Sequence, residues 1–187
     1  MTDIALGVQR ATLGVRVVAV VLGALVVALA AQVSVPLPGT PVPMTLQPMA
    51  VLLVGGLLGA RLGALSMIVY LAMGAAGLPV FTPTVPLLGV ARLIGPTGGY
   101  LLAYPIAAYA VGSIATYRAP WQRVAYAVFA GLVFIHLGGL AQLAILTGNL
   151  SGAARLATWP FLLGDLLKLV LLVPVLTKLT PTVRARL

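Results

Sequence analysis

The sequence predicts an all-α integral membrane protein, folded as a six-helix transmembrane bundle with both termini in the cytoplasm. Of its 187 residues, 61% are hydrophobic and only 7% are charged, and the apolar residues fall into six runs. An ordinary soluble domain carries about 25% charged residues. Because one bilayer crossing takes about 20 apolar residues, the chain has room for one such bundle. We therefore expect residues 1–187 to form a single transmembrane domain.

The six apolar runs define the predicted spans and the loops between them. They cover residues 17–33, 46–60, 62–81, 97–117, 124–146 and 159–176. The first run ends in a sequence that resembles a signal-peptidase site, but further apolar runs follow it, and we expect this helix to be retained. The loops at residues 34–43 and 79–96 are rich in proline, which holds each preceding residue in an extended conformation. We expect both loops to be ordered.

The basic residues are unevenly distributed between the two sides of the predicted bundle. Alternating the loops puts Arg92 and Arg155 on one side and eight basic residues on the other. The eight are Arg10, Arg16, Arg61, Arg118, Arg123, Lys178, Arg184 and Arg186. Cytoplasmic loops carry an excess of Lys and Arg. The pattern predicts cytoplasmic termini and outward-facing proline-rich loops, and it accounts for the net charge of +9 without any nucleic-acid partner.

Asp165 and Lys168 lie three residues apart in the sixth predicted span. Residues at this spacing share one face of a helix. Each charge costs about 2.5–3.5 kcal/mol near the bilayer centre on insertion scales, so function is the usual reason to keep one there. We interpret the two residues as ligand-binding. The alternative is an ion pair that only holds helices together.

Arg92 precedes the turn Gly95-Pro96-Thr97-Gly98-Gly99-Tyr100 on the predicted outer side. A guanidinium can bind a carboxylate through two hydrogen bonds. The start of the next helix, with Thr97 as its predicted N-cap, adds free amide groups and a favourable dipole. We expect Arg92 to bind an anionic ligand, with a contact to lipid phosphate as the alternative.

Two further features allow two interpretations each. His136 in the fifth span is interpreted as a hydrogen-bonded residue of the bundle, with a proton relay as the alternative. The first span carries small residues at spacings that let another helix approach closely. These are Ala19, Gly23, Ala24 and Ala28. Their partner helix lies either within this chain or in another subunit.

The composition argues against enzyme activity. Two acidic residues, one histidine and no cysteine do not provide the metal ligands, paired acids or nucleophile–base sets that membrane hydrolases and transferases use. We expect no cofactor and no metal site. The phosphate-loop pattern GxxxxGK[ST] is missing as well, so ATP-driven transport would need partner ATPases. A self-sufficient secondary carrier, with Asp165 as a proton-coupled site, is the alternative.

Four segments together resemble the BioY family, the biotin-specific substrate-binding component of energy-coupling factor (ECF) transporters. They are VPLPGTPVPMTLQ at 35–47, GARLGALSMIVYLAMGAAGLPVF at 59–81, GPTGGYLLAYP at 95–105 and PFLLGDLLKL at 160–169. The resemblance spans nearly the whole chain. It implies six helices in a bacterial cell membrane, surrounded by lipid, with an outward-facing biotin pocket beneath the outer loops. It also implies a complex with a membrane coupling protein and two ABC-type ATPases.

The resemblance implies, in addition, which residues bind biotin. The charged ligand-binding residues of the family fall on Arg92, Asp165 and Lys168. We expect at least one of the two cations to pair with the biotin carboxylate, and Tyr100 and Phe81 to enclose the apolar part of biotin. The chain reads Thr82-Pro83-Thr84 where a further polar contact is expected, so the contacts to the ureido group are only partly assigned.

Overall fold

The computed structural model describes residues 11–187, so Arg10, one of the predicted cytoplasmic basic residues, lies outside the described range. The described residues are mostly helical, as predicted. The helices are α1 Leu13–Gln32, α2 Gln47–Leu58, α3 Ala60–Ala75, α4 Val90–Ile94, α5 Gly98–Ile114, α6 Trp121–Thr147, α7 Leu150–Ala157 and α8 Leu162–Arg184. The six longer helices correspond to the six predicted runs. The short helices α4 and α7 were not predicted.

Three helical segments of the described chain are long and apolar enough to cross a membrane, judged by length and composition. They are Leu13–Gln32, Trp121–Thr147 and Leu150–Arg184, the last of which comprises α7 and α8. Helices α2, α3 and α5 are apolar but have only 12 to 17 residues. The number of crossings and the location of the termini therefore stay predictions.

Two helices end at residues that differ from the prediction. The third predicted span runs to residue 81, whereas α3 ends at Ala75 because Gly77 adopts a φ of +91°, which leaves the helical conformation. The sixth predicted span ends at residue 176, whereas α8 continues to Arg184 with Pro174 and Pro181 inside it. Proline is better tolerated in apolar helices of a bundle, where neighbouring helices can satisfy the freed backbone groups.

The first proline-rich loop is ordered, as predicted, and it forms a short hairpin. Strand β1, Ser34–Val35, pairs antiparallel with strand β2, Met44–Thr45. The Thr40 hydroxyl donates a 2.9 Å hydrogen bond to the carbonyl oxygen of Leu156. The tip of this hairpin therefore lies against α7, and the two segments share one end of the bundle.

Close contacts between glycines bring α5 and α6 together. A Cβ atom on Gly99 would lie 2.1 Å from the carbonyl oxygen of Gly138, and a Cβ atom on Gly139 would lie 2.1 Å from the Tyr100 ring. Neither position has room for a side chain. This close contact between the two backbones fixes the position of Tyr100, at the start of α5, relative to His136 on α6.

The small-residue face of α1 packs within this chain. Ala24 is fully buried and Ala28 is 7% exposed. A Cβ atom on Gly23 would lie 2.5 Å from the Ser66 hydroxyl of α3. Of the two interpretations of this face, internal packing accounts for the three buried residues, whereas Ala19 is only partly buried. The opposite face of α1 is apolar and exposed.

Arg184, in the last turn of α8, connects three helices at the end of the bundle away from the first hairpin. Its guanidinium donates hydrogen bonds of 2.6 Å and 3.0 Å to the carbonyl oxygens of Gly56 and Gly112. One side chain thereby connects α8 to both α2 and α5. This end is opposite the first hairpin and, by the charge pattern, it is the predicted cytoplasmic end.

Candidate ligand-binding site

A cavity opens at the loop end of the bundle, between the two proline-rich loops and the helices below them. It contains about 570 Å³ of atom-free space, its open mouth included. The polar side chains that line it are Thr45, Gln47, Thr82, Arg92, Thr97, Tyr100, Tyr104, His136, Asp165 and Lys168. Seven apolar residues complete the lining: Val42, Pro43, Pro48, Leu101, Leu132, Ile135 and Phe161.

Asp165 and Lys168 form an ion pair in the wall of this cavity. The Lys168 ammonium donates a 2.8 Å hydrogen bond to Asp165 Oδ1, and the two residues are 7% and 8% exposed, respectively. The spacing in the sequence correctly predicts that they share a helix face. The two interpretations of the pair are both compatible with this arrangement, because the residues bond to each other and also line the cavity.

His136 on α6 joins this pair from the neighbouring helix. Its Nε2 lies 2.5 Å from Asp165 Oδ2, and its Nδ1 lies 3.2 Å from the carbonyl oxygen of Ala157. The Tyr100 hydroxyl donates a 2.6 Å hydrogen bond to the same carbonyl. This oxygen belongs to the last turn of α7, where helix carbonyls lack partners within the helix. His136 is thus a hydrogen-bonded bundle residue, as interpreted from the sequence, and in addition it lines the cavity.

Arg92 is 1% exposed and stands in the wall formed by the second loop. Its terminal guanidinium nitrogens donate hydrogen bonds to the carbonyl oxygens of Val85 and Thr82, the second at 2.8 Å. Burial lowers the pKa of the Arg92 guanidinium. Its Nε has no hydrogen-bond partner within residues 11–187. Arg92 therefore holds the second loop in place, and only part of its hydrogen-bonding capacity remains for a ligand.

Tyr100 and Phe81 have different positions relative to the cavity. The Tyr100 ring is part of the lining. Phe81 is buried elsewhere, where it packs edge-on against Tyr70 with 5.4 Å between ring centroids and lies against Gly74 of α3. The structure thus brings Arg92, Tyr100, Asp165 and Lys168 to one cavity, and leaves Phe81 outside its lining.

Two polar residues at helix starts were not predicted to line the cavity. Gln47, the first residue of α2, donates a hydrogen bond to the Tyr70 hydroxyl, and its side-chain oxygen accepts one of 3.3 Å from Thr45. Thr97 occupies the predicted N-cap position of α5, but its side chain makes no capping hydrogen bond, because its backbone is helical rather than extended. Its buried hydroxyl has no partner in the described chain. A lone polar residue at the edge of an apolar run was the only signal for either.

The fold and the site together define a helical membrane protein with a buried, charged cavity at one end. The model of the BioY family matches residues 7–185. The chain therefore belongs to the BioY family, and the resemblance noted in its sequence is confirmed.

Named relatives and one solved structure agree with this assignment. The chain is 40% identical over 139 residues to the probable biotin transporter BioY of Pyrococcus horikoshii, covering 74% of this chain and 79% of that one. It is 36% identical over 140 residues to the biotin transporter BioY of Thermotoga maritima, covering 75% and 80%. The crystal structure of the S-component for biotin from an ECF-type ABC transporter superposes with a TM-score of 0.78 at 25% identity, covering 91% of this chain and 94% of that one.

Proposed function

We propose that this protein is the high-affinity biotin-binding subunit of a biotin uptake transporter. It captures biotin outside the cell for ATP-driven import through a membrane coupling protein and ABC-type ATPases. The observation that carries the proposal is that Arg92, Asp165 and Lys168, which the sequence and the family resemblance both indicate, line a single cavity. The names of the relatives, which are biotin transporters, supply the ligand.

Biotin carries a carboxylate at one end and a ureido group, with two N–H donors and a carbonyl, at the other. Lys168 is the better candidate for the carboxylate, because the terminal nitrogens of Arg92 already bond to loop carbonyls. An ammonium has three donors and uses one of them on Asp165. Asp165 then either accepts from a ureido N–H or orients Lys168.

The ureido group needs further partners, and Gln47 and Thr97 are suitable. Both line the cavity from the starts of α2 and α5. The Thr97 hydroxyl can donate and accept, and it is 7% exposed without a partner in the described chain. Tyr100 and the apolar lining would enclose the thiophane ring and valeryl chain. Phe81 packs against Tyr70, whose hydroxyl accepts a hydrogen bond from Gln47 of the lining.

An equilibrium titration of the purified protein with radiolabelled biotin tests the binding function. We expect saturable binding with one site per chain, displaced by unlabelled biotin and not by thiamine, a vitamin without a carboxylate. A monodisperse, folded preparation that binds no biotin would refute the proposal.

The partner requirement is tested separately, by comparing biotin uptake in cells that express this chain alone or together with a coupling protein and ATPases. Full uptake by the chain alone would favour a secondary carrier.

A further inference from the structure

The hydrogen-bond partners of His136 determine how many protons it holds. Its Nδ1 lies 3.2 Å from the Ala157 carbonyl oxygen, which can only accept, so Nδ1 carries a hydrogen. Its Nε2 lies 2.5 Å from Asp165 Oδ2. One proton lies between these two atoms in a hydrogen bond, because two bare lone pairs would repel each other. The proton rests on either the imidazole or the carboxyl group.

The net charge of the cluster follows from this count. We call His136, Asp165 and Lys168 the charged cluster. An imidazole with a hydrogen on Nδ1 alone is neutral, and the shared proton cancels the charge of the Asp165 carboxylate wherever that proton rests. Lys168 then contributes a charge that remains uncompensated. Without His136, Asp165 and Lys168 would neutralise each other.

Within residues 11–187, the surroundings provide no second anion for this cluster. Asp165 is the only acidic residue among residues 11–187. The other titratable groups that face His136 or the cavity are Tyr100 and Tyr104 on α5 and the cation Arg92 on α4. Tyr100 donates its hydroxyl hydrogen to the Ala157 carbonyl. A cation that is buried without a counter-charge strongly favours binding of an anion.

We propose that His136 determines the charge selectivity of the cavity, because the proton it shares with Asp165 leaves the Lys168 charge available to a ligand. The site thereby prefers a ligand with one negative charge. This inference rests on the proposed function, in which the anion is the biotin carboxylate. His136 acts as a positioning residue, since it works through Asp165 and Lys168 without needing to contact the carboxylate.

Comparing biotin with its primary amide tests the proposal, because the amide has nearly the same shape and no charge. Wild type should bind biotin more tightly than the amide. His136→Gln can still donate a hydrogen bond but shares no proton, so the ratio of the two dissociation constants should fall by at least roughly tenfold. Gln142→Ala is the control on the same helix. It removes hydrogen bonds to Leu93 and Gly95 outside the cavity, and it should leave the ratio unchanged.

A purely structural role of His136 would weaken the binding of both ligands alike and leave their ratio unchanged, which would overturn the inference. If wild type bound neither ligand, the proposed function would fail instead.

The proton count can also be measured in wild type, without a variant that might not fold, by NMR of protein labelled with 15N-histidine and 13C-aspartate. The chain has one histidine and two acidic residues, so few signals need assignment. At neutral pH we expect a protonated Nδ1 and a proton on Nε2 or Asp165. A bare Nε2 together with an ionised Asp165 would overturn the inference.

Discussion

Lys168 donates a 2.8 Å hydrogen bond to Asp165, one turn earlier on α8, and both side chains are less than a tenth exposed. One helix therefore presents both side chains to the cavity together. The Asp165 carboxyl group also contacts His136, so it connects Lys168 to α6. Removing either one leaves its neighbour buried with fewer partners.

Lys168→Ala and Asp165→Asn should each abolish tight biotin binding in protein that still folds. Breaking a buried, hydrogen-bonded charge pair costs about 2–5 kcal/mol. At 1.4 kcal/mol per decade, the dissociation constant should rise roughly 30-fold to several thousand-fold. Arg155→Ala is the control, since Arg155 is exposed on α7 near the same end. Unchanged affinity in the first two variants would make the pair structural and the site assignment wrong.

Single cysteines should establish which end of the bundle faces outward. The chain contains no cysteine, so each introduced thiol is the only one. Pro38 in the first hairpin and Ser151 in α7 are exposed, and the Thr40–Leu156 hydrogen bond puts these two segments at the same end. We expect Pro38→Cys and Ser151→Cys to react with an impermeant maleimide added to intact cells. Arg118→Cys should react only after the cells are opened, and the reverse pattern would invert the predicted topology.

Gly139→Ala should destabilise the protein and weaken biotin binding. The added methyl group would lie 2.1 Å from the Tyr100 ring, which lines the cavity and bonds to the Ala157 carbonyl. Overpacking of this kind costs about 1–3 kcal/mol. Thermal unfolding in detergent and a biotin titration measure the two effects. Gly14→Ala is the matched control, because its nearest neighbour would be 3.9 Å away. Identical behaviour of the two variants would mean that α5 and α6 can separate freely.

Arg184→Ala should lower stability without changing biotin affinity. It removes the donors to the carbonyl oxygens of Gly56 and Gly112, and a buried acceptor left without a partner costs about 1–3 kcal/mol. Arg184 lies 19 residues beyond Asp165, or roughly 28 Å along an α-helix. Unfolding midpoints are compared with those of Arg186→Ala, whose side chain is exposed. A large loss of affinity would show that the two ends of α8 are coupled.

The helical architecture and part of the site were predictable because they depend on local sequence. Apolar runs reveal helices, and the three-residue spacing of Asp165 and Lys168 places them on one face of α8. Because charged residues are costly inside a bilayer, the sequence alone indicated a function for these two residues. Arg92 was expected to bind an anion because it precedes the outer turn, and Tyr100 was expected to enclose the apolar part of biotin; both line the cavity.

The remaining site residues depend on contacts between distant segments. His136 meets Asp165 across 29 positions in the chain, and no spacing rule predicts that two helices will bring them together. The close approach of Gly99 and Gly138 is visible only in three dimensions. Helix α7 was missed because its eight residues lie between two long apolar runs and carry the polar residues of a loop. Phe81 was expected at the cavity because the sequence cannot tell which face of its loop turns inward.

The location of the charged cluster on α6 and α8 determines when the cavity can form during translation. Among residues 11–187, the Arg92 guanidinium bonds to carbonyl oxygens five to ten positions earlier, so these bonds can form before the later helices have been translated. Ala157, the shared acceptor, is translated after Arg92, and Asp165 and Lys168 follow it. A ligand that needs the Asp165–Lys168 pair therefore has no complete site until α8 has been translated.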